Sequence, residues 1–570
     1  MSSGCPFLRE KQRLTVSFKR LLYTLWLVFI VSFALLHALH LRADFPNHTP
    51  WFSDWAKYTD EGWYGNAAVR AHLFGNWYIP GDFNPAPAVP LWAFLEWVLF
   101  FFTGVSIQAA RGLAVGFFFL NLLLSYLLLR ARSPRWVALV ALTLIVTSPF
   151  LYCFSRLAIL EPMLTALTLA ALNLAVRLPR MRRPVAASLF IGLIFTLMML
   201  TKTTAVFLLP AVGWAMLLPL RHNRRLALRS AVAAAGAFAV SFSLWIALIV
   251  HYGLFADYKY LFFINKYDKP REFYWPLVSL WWSFHGVLWI DLVLIPLGGM
   301  LALAAILAAT ALARQKSAPS DTSLSAGWRA WGRNLLQDPV FGASLLAVAG
   351  YILFMTYQDH PQPRYFAFVA FFSFFVVAQT IGALLGESSR SEATSIAETP
   401  RIGIWPRRMG WISLAVAAVA AGGNATWTLN YAAHPEYTFA DAAQRLTRYI
   451  DTHPNGKRLL VSISGDQITM MTHLPSICDD FGTEELVSKL NRYQPGWFAT
   501  WNDLDPGTLE DLHNHYSLEQ VASFRALDDP DRDVLVLFKL HPLPGGQVRE
   551  PGEQNLQVAL PDDKIDIDVQ

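Results

Sequence analysis

The sequence predicts a polytopic α-helical membrane protein of about eleven transmembrane helices with a C-terminal extracytoplasmic α/β domain, and three observations carry that prediction. Hydrophobic residues make up 54% of the 570 and charged residues only 15%, with a mean hydropathy of +0.35, so too little polar sequence remains to cover a soluble globule. Apolar runs that reach or approach the roughly 20 residues needed to cross a bilayer recur along residues 20–430. Charge is also divided along the chain. From Tyr431 onward there are 11 Lys and Arg against 23 Asp and Glu, a net −12 within a chain of net +5, so the basic excess belongs to membrane loops, where it sets orientation. Soluble, disordered and nucleic-acid-binding classes are thereby excluded, and no nucleic-acid partner is expected.

The elements follow in order. Residues 1–19 form a cytoplasmic N-terminus with Arg9, Lys11, Arg13, Lys19 and Arg20. The apolar run after it is too long for a signal peptide and lacks a small-residue cleavage site, so it is read as a retained first span. Basic clusters at Arg130/Arg132/Arg135, Arg177/Arg180/Arg182/Arg183, Arg221/Arg224/Arg225/Arg229, Arg314/Lys316/Arg329/Arg333 and Arg390/Arg401/Arg407/Arg408 all fall on the cytoplasmic side if two stretches do not cross. Those are 89–104 and 274–290, short and rich in Pro and Trp, as helices in the headgroup layer are. Spans are then expected at 20–42, 109–129, 136–153, 160–177, 185–201, 203–220, 229–250, 291–312, 340–356, 365–385 and 411–429. The N-terminus lies inside and the C-terminus outside, in a bacterial cytoplasmic membrane.

This topology gives a transmembrane domain over 20–430, with an outer loop at 41–90, and an outer domain over 431–570. The outer face also receives the turn at 156–161, Lys202, the loop 251–274 and the turn 357–364. Cytoplasmic loops 315–337 and 387–408 read as connectors, the second with a low-complexity stretch from Glu387 to Pro400. No internal repeat is visible, which argues against a transporter of duplicated halves. In the tail, helical patterns at Phe439–Ile450 and Glu484–Leu490 alternate with β-like runs at Arg458–Ser464, Gly496–Trp501 and Val534–Leu540, hence a small α/β domain, with fraying expected from Gln547. Cys5, Cys153 and Cys478 are too scattered for a disulfide framework or a thiolate metal site.

Candidate chemistry sits on the outer face. Asp60 and Glu61 lie in Tyr58-Thr59-Asp60-Glu61-Gly62-Trp63-Tyr64; adjacent carboxylates point different ways, so one can meet a reacting group while the other binds a metal or orients its neighbour. The plainer alternative is a helix over Trp63–Leu73, with Thr59 or Asp60 as its cap and Glu61 in the first turn. Glu161, beside an apolar run, needs a partner or a task. Arg156, five residues earlier, is the near candidate. Lys202 interrupts an apolar stretch and is either a phosphate ligand or a snorkelling lysine. Asp257, Lys259, Lys266, Asp268, Lys269 and Arg271 occupy one outer loop and Asp359 to Tyr365, with Arg364, another. Carboxylates ringed by cations at the membrane surface suit an anionic lipid headgroup meeting a hydroxyl acceptor.

Asp60-Glu61-x-x-Tyr64 with Gly75-x-Trp77-x-x-Pro80 and the Pro/Trp helix behind it resembles the first outer loop of the C-type glycosyltransferase superfamily. Bacterial aminoarabinose-to-lipid-A transferases and dolichyl-phosphate-mannose protein mannosyltransferases are the nearest in pattern. Arg156 to Glu161 resembles their second outer motif, Thr201-Lys202-Thr203-Thr204-Ala205 their Thr-Lys-Gly segment, and Pro363-Arg364-Tyr365 their late Arg-Tyr turn. The similarity covers roughly residues 20–385. It implies an inverting sugar transfer from a polyprenyl-phosphate donor to a glycolipid, glycan or protein hydroxyl, among membrane lipids. Asp60, Glu61 and Glu161 would be catalytic, and Arg156, Lys202, Lys266, Arg364 and Tyr64 would bind the donor phosphate. A divalent metal ion would fall to Asp60 and Glu61, with no organic cofactor. The chain departs from those relatives at Glu161 (usually Asp), Trp63 (Arg), Asn84-Pro85-Ala86 (Glu-Lys before the prolines) and Asn265-Lys266 (His), so a metal site copied from them lacks ligands and a different donor sugar is expected. The competing readings are a flippase or transporter of lipid-linked sugars and a degenerate, non-catalytic member.

Overall fold

The computed structural model describes residues 6–44, 56, 58–79, 82, 84–264, 332, 335–356, 362–386, 404–478, 486–502, 506–526 and 533–543. The chain is a multi-pass α-helical membrane protein with a small sheet domain at its C-terminal end. Helices α1 (Pro6–Leu36), α2 (Asp60–Phe74), α3 (Pro90–Thr103), α4 (Ile107–Arg130), α5 (Arg135–Thr147), α6 (Pro149–Phe154), α7 (Glu161–Arg177), α8 (Pro184–Thr201), α9 (Leu209–Leu217), α10 (Arg224–His251) and α11 (Phe255–Lys259) come first. Then follow α12 (Pro339–Thr356), α13 (Pro363–Leu384) and α14 (Ile404–Ala433).

Among the described residues eight helices are long and apolar enough to cross a membrane, and α5, α12 and α3 are shorter apolar helices. The expected span at 291–312 and the expected surface helix at 274–290 lie outside the described residues. The expected span 136–153 is split, α5 ending at Thr147 and α6 starting at Pro149, because a proline ring has no N–H to give and clashes with the preceding turn. Ser148 caps the new start, accepting from the Leu151 amide at 3.2 Å.

Two helices mark the extremes of the bundle. α13 is rich in Phe and Val on every face and is buried almost throughout, as a helix apolar all round must be when it sits at the centre. α10 buries little, leaving Leu228, Val232, Val240 and Leu244 each more than 60% exposed, a surface suited to lipid.

The C-terminal domain packs helices α15 (Thr438–Thr452), α16 (Gly465–Thr472), α17 (Leu486–Tyr493) and α18 (Pro506–His515) with five strands: β1 (Lys457–Ser462), β2 (Ser476–Cys478), β3 (Pro495–Trp501), β4 (Tyr516–Arg525) and β5 (Val534–Pro542). The sheet order is β2-β1-β3-β5-β4. β1 runs parallel to β2 and β3, while β5 is antiparallel to β3 and β4. β3 is buried along its whole length, as a central strand covered on both faces is. Asp44, from the loop after α1, ties this domain to the bundle: its Oδ2 accepts from the Phe439 amide at 2.8 Å and the Thr438 hydroxyl at 2.9 Å.

Candidate active site

Four separate elements deliver charge to one place. α2 starts at Asp60 with Thr59 as N-cap, so Asp60 and Glu61 occupy its first turn, where the helix dipole favours negative charge. The Thr59 hydroxyl donates to Asp60 Oδ1 at 3.2 Å and caps no amide. Glu161 opens α7, followed by Pro162 in the first turn. Lys202 is the residue after α8, with an extended backbone (φ −156°, ψ 131°) that leads into a 3-10 turn over Thr203–Leu208. Arg364 and Tyr365 stand in the first turn of α13.

The carboxylates and cations meet in pairs. Arg364 Nη2 lies 2.8 Å from Asp60 Oδ2, and Lys202 Nζ bonds Glu161 Oε1, all four side chains being almost completely buried. The Tyr365 ring lies beneath both cations, 4.4 Å from Lys202 Nζ and 4.9 Å from Arg364 Cζ, so its negative face adds to their stabilisation. The Tyr64 hydroxyl feels Asp60, Arg364, Tyr365 and Glu161 together; burial first, and then the Asp60 charge, push it well above the ordinary tyrosine range. The assembly is neutral overall, as a group of charges withdrawn from water must nearly be. Beside Glu161, among Phe118, Asn121, Phe154, Thr165 and Phe371, is a cavity of about 30 Å³. That is room for one or two waters, and at rest the carboxylates and cations are in contact with one another.

The remaining candidates divide. Glu61 has no exposure and is engaged from three sides: Arg111 grips it with two bonds (Nε to Oε1 2.7 Å, Nη2 to Oε2 2.6 Å), the Ala158 amide donates to Oε1 at 2.8 Å and Gln467 Nε2 to Oε2 at 3.0 Å. Arg111 also donates to the carbonyls of Leu41 and Ala43, making this pair a junction of five chain segments. Arg156 does not partner Glu161, as its spacing had suggested. It donates to the Tyr152 hydroxyl and, at 2.8 Å, to the His40 carbonyl, holding the end of α1 against α6. Lys202 is no snorkelling lysine, since its amine turns inward. Lys266, with Lys269, Arg271 and Asp359, lies outside the described residues.

Sequence reasoning missed Arg111, whose only local signal is a charge near the end of an apolar span. It also missed a buried network under the loop between α1 and α3. Arg70 bonds Asp82 at 2.6 Å and Asp466 at 3.0 Å, with Lys489 3.9 Å from Asp82. Among the described residues no group of three or more His, Cys, Asp and Glu could hold a metal ion. The oxygens of Glu61 are filled by protein donors and Asp60 faces a guanidinium, so these two residues do not fit a metal.

No protein-family model matches the chain, and no curated protein matches it in sequence. Its structure is similar to that of ArnT from Cupriavidus metallidurans bound to undecaprenyl phosphate, with a TM-score of 0.57 at 13% identity over 92% of this chain and 100% of that one. The apo state of the same protein gives 0.54 and 15%, over 91% and 98%. The Archaeoglobus fulgidus oligosaccharyltransferase superposes less well, at 0.46 and 13% over 89% and 72%. At such identity the ArnT likeness is one of fold, and it is the fold of the C-type glycosyltransferases that the sequence motifs resemble.

Proposed function

We propose that the chain is a membrane glycosyltransferase that moves a sugar from a polyprenyl-phosphate carrier to a hydroxyl of a glycolipid, glycan or protein, on the extracytoplasmic side and with inversion. The observation that carries this reading is the buried quartet of Asp60–Arg364 and Glu161–Lys202 around Tyr365, on a fold whose ArnT example is bound to undecaprenyl phosphate. Two cations side by side in a dry pocket match a phosphate, and a carboxylate between them and the outer loop matches a base for an incoming hydroxyl.

In this reading the donor phosphate takes Arg364 and Lys202 from their resting carboxylates. Asp60, released from its guanidinium, becomes the stronger base. The acceptor oxygen attacks the anomeric carbon, its proton passes to Asp60, and the bond from that carbon to the phosphate oxygen breaks with its electron pair going to phosphate. Arg364 and Lys202 stabilise the charge that gathers there. Tyr64 and Tyr365 line the pocket, and Glu61 acts as a positioning residue through Arg111. No step runs through a metal, since Glu61 and Asp60 do not fit one.

The test is mass spectrometry of envelope glycans and glycolipids from cells with the gene, without it, and with Asp60→Asn. A glycan mass that disappears in the second and third supports the reading. Identical profiles in all three defeat it.

A further inference from the structure

The C-terminal domain holds the chain on both sides of Asp60. Two residues before it, Tyr58 is fully buried in the core of that domain, edge to face with Trp501 at a ring separation of 4.9 Å. After it, Gly62, Asn66 and Arg70 recur every four residues along one stripe of α2, and the first turn of α16 is seated on that stripe. At Gly62 the backbones of Asp466 and Gln467 come so close that any Cβ would overlap them. Asn66 Nδ2 donates to Asp466 Oδ2 at 3.2 Å, and Arg70 Nη2 to Asp466 Oδ1 at 3.0 Å. Gln467, with no exposure, donates to Glu61 Oε2 at 3.0 Å.

α2 has little of its own to fix it. It is 15 residues long, its N-cap side chain caps no amide, and isolated helices of that length are marginal in water. Its position, and that of the carboxylate at its start, is therefore set by what it is packed against. The transmembrane side supplies Arg111, the Ala158 amide, Arg364 against Asp60 and the face of α3, where Glu96 lies against Gly65; the C-terminal domain supplies the contacts to the stripe of Gly62, Asn66 and Arg70 and the Gln467 contact to Glu61.

We propose that the C-terminal domain is a working part of the active site, in which Gln467, through Glu61, and Asp466, through Asn66 and Arg70, are positioning residues for the Asp60 carboxylate. This rests on Asp60 being the base of the transfer reaction. A base displaced by about 1 Å loses on the order of 10²-fold in rate, whereas the phosphate contacts on Lys202 and Arg364 come from other helices. Loosening the grip of α16 accordingly lowers kcat per folded, donor-binding site and spares the donor KM, whereas a loss of folded protein lowers only the number of such sites.

The experiment uses the full chain in detergent or nanodiscs with Gln467→Met, which keeps the side-chain length and removes the donor. The expected result is a fall of about tenfold or more in kcat with donor KM within about twofold. Amide hydrogen exchange over 60–64 should become faster, while exchange in α13 and in β3 stays as in the wild type. Gln467→Glu, which sets a second carboxylate against Glu61, should be worse than Gln467→Met. If Gln467→Met does not fold, Asn66→Ala removes the neighbouring bond to Asp466 from the α2 side and is read in the same way. Unchanged exchange over 60–64 overturns the proposal, as does an unchanged kcat in an enzyme whose Asp60→Asn variant is dead. Should Asp60→Asn retain full transfer, the base assignment fails instead, and the exchange measurement still decides whether the C-terminal domain holds this segment.

Discussion

Asp60→Asn separates the two halves of the proposed mechanism, because the structure pairs Asp60 with the cation that is to receive the phosphate. The amide keeps the shape of the side chain but accepts no proton, so turnover should fall by roughly 10²–10⁴-fold, the range of a general base. Donor binding should move the other way. At 2.8 Å in a buried setting, Arg364 and Asp60 form an ion pair, and a charge-assisted contact is worth about 1.5–3 kcal/mol. The phosphate must displace that contact in the wild type. Asparagine retains part of it as a neutral hydrogen bond, so about 1.4 kcal/mol, or tenfold in affinity, is the gain expected for polyprenyl phosphate. Turnover is measured with a lipid-linked sugar donor and affinity by native mass spectrometry or tryptophan quenching on the same purified samples. A variant that keeps more than about a tenth of wild-type turnover, or binds polyprenyl phosphate tenfold more weakly, shows Asp60 to be a structural partner of Arg364.

Lys202→Gln and Arg364→Gln should each weaken donor use by about 1.5–3 kcal/mol, and the double variant by less than the sum because both cations act on one phosphate; strict additivity with a falling Tm would mean that they only hold spans together. Glu61→Gln leaves Arg111 buried without its carboxylate, so thermal stability should drop by about 3–5 kcal/mol. An unchanged Tm with activity lost and then restored by a divalent metal would instead make Glu61 a ligand. Burial first, against the opposing bonds from Phe439 and Thr438, raises Asp44 to about 6. For an acid shifted upward, the folded state gains stability at low pH, present in full below about pH 4 and lost as pH rises through about 6, at a cost of about 3 kcal/mol. Melting curves between pH 4 and 7 should show that fall in the wild type and lose it in Asp44→Asn. Cysteine labelling from outside intact cells should reach Asn76→Cys and fail at Asn223→Cys, the reverse pattern overturning the orientation.

The membrane helices were legible because their signal is local: the expected spans within the described residues fall on helical segments, eight of them long and apolar enough to cross, while 136–153 divides at Pro149 and 203–220 is a short α-helix between two 3-10 turns. Of the residues singled out by resemblance, Asp60, Tyr64, Glu161, Lys202 and Arg364 lie in one cluster, whereas Arg156 turns to the end of α1 and Lys266 lies outside the described residues. What could not be read was which charge answers which. Glu161 pairs across 41 residues with Lys202 and not with Arg156 five residues away, and Glu61 is joined to Gln467 across 406. Sequence proximity favoured Arg156, but the turn at 155–160 sends its guanidinium towards the end of α1. In the C-terminal domain, β4 escaped notice because Glu519 and Gln520 interrupt its apolar pattern and its register shifts between Gln520 and Ala522. α16 is short, and its weight comes from contacts with a helix about 400 residues earlier.

The pairing has a consequence for the order of events in the proposed reaction. A sugar phosphodiester carries one negative charge, and the polyprenyl phosphate it leaves behind carries two once its new oxygen is free. Over the same step the Asp60 carboxylate takes the acceptor proton and loses its charge. The sum over Asp60, Glu161, Lys202, Arg364 and the phosphate is therefore the same before and after the transfer, and only its distribution shifts, from the carboxylate towards the two cations. In a pocket this poorly hydrated, a step that changed net charge would carry the full desolvation penalty of an unpaired ion; one that moves a charge by a few ångströms between fixed partners needs little reorganisation. The same accounting explains why removing one cation should harm the chemical step more than binding, since the second negative charge on phosphate exists only after the bond begins to break. It also sets the order of release: Arg364 can return to Asp60 only after Asp60 has given up its proton, so deprotonation of Asp60 and departure of the lipid phosphate are linked, and solvent deuterium should slow product release in the wild type.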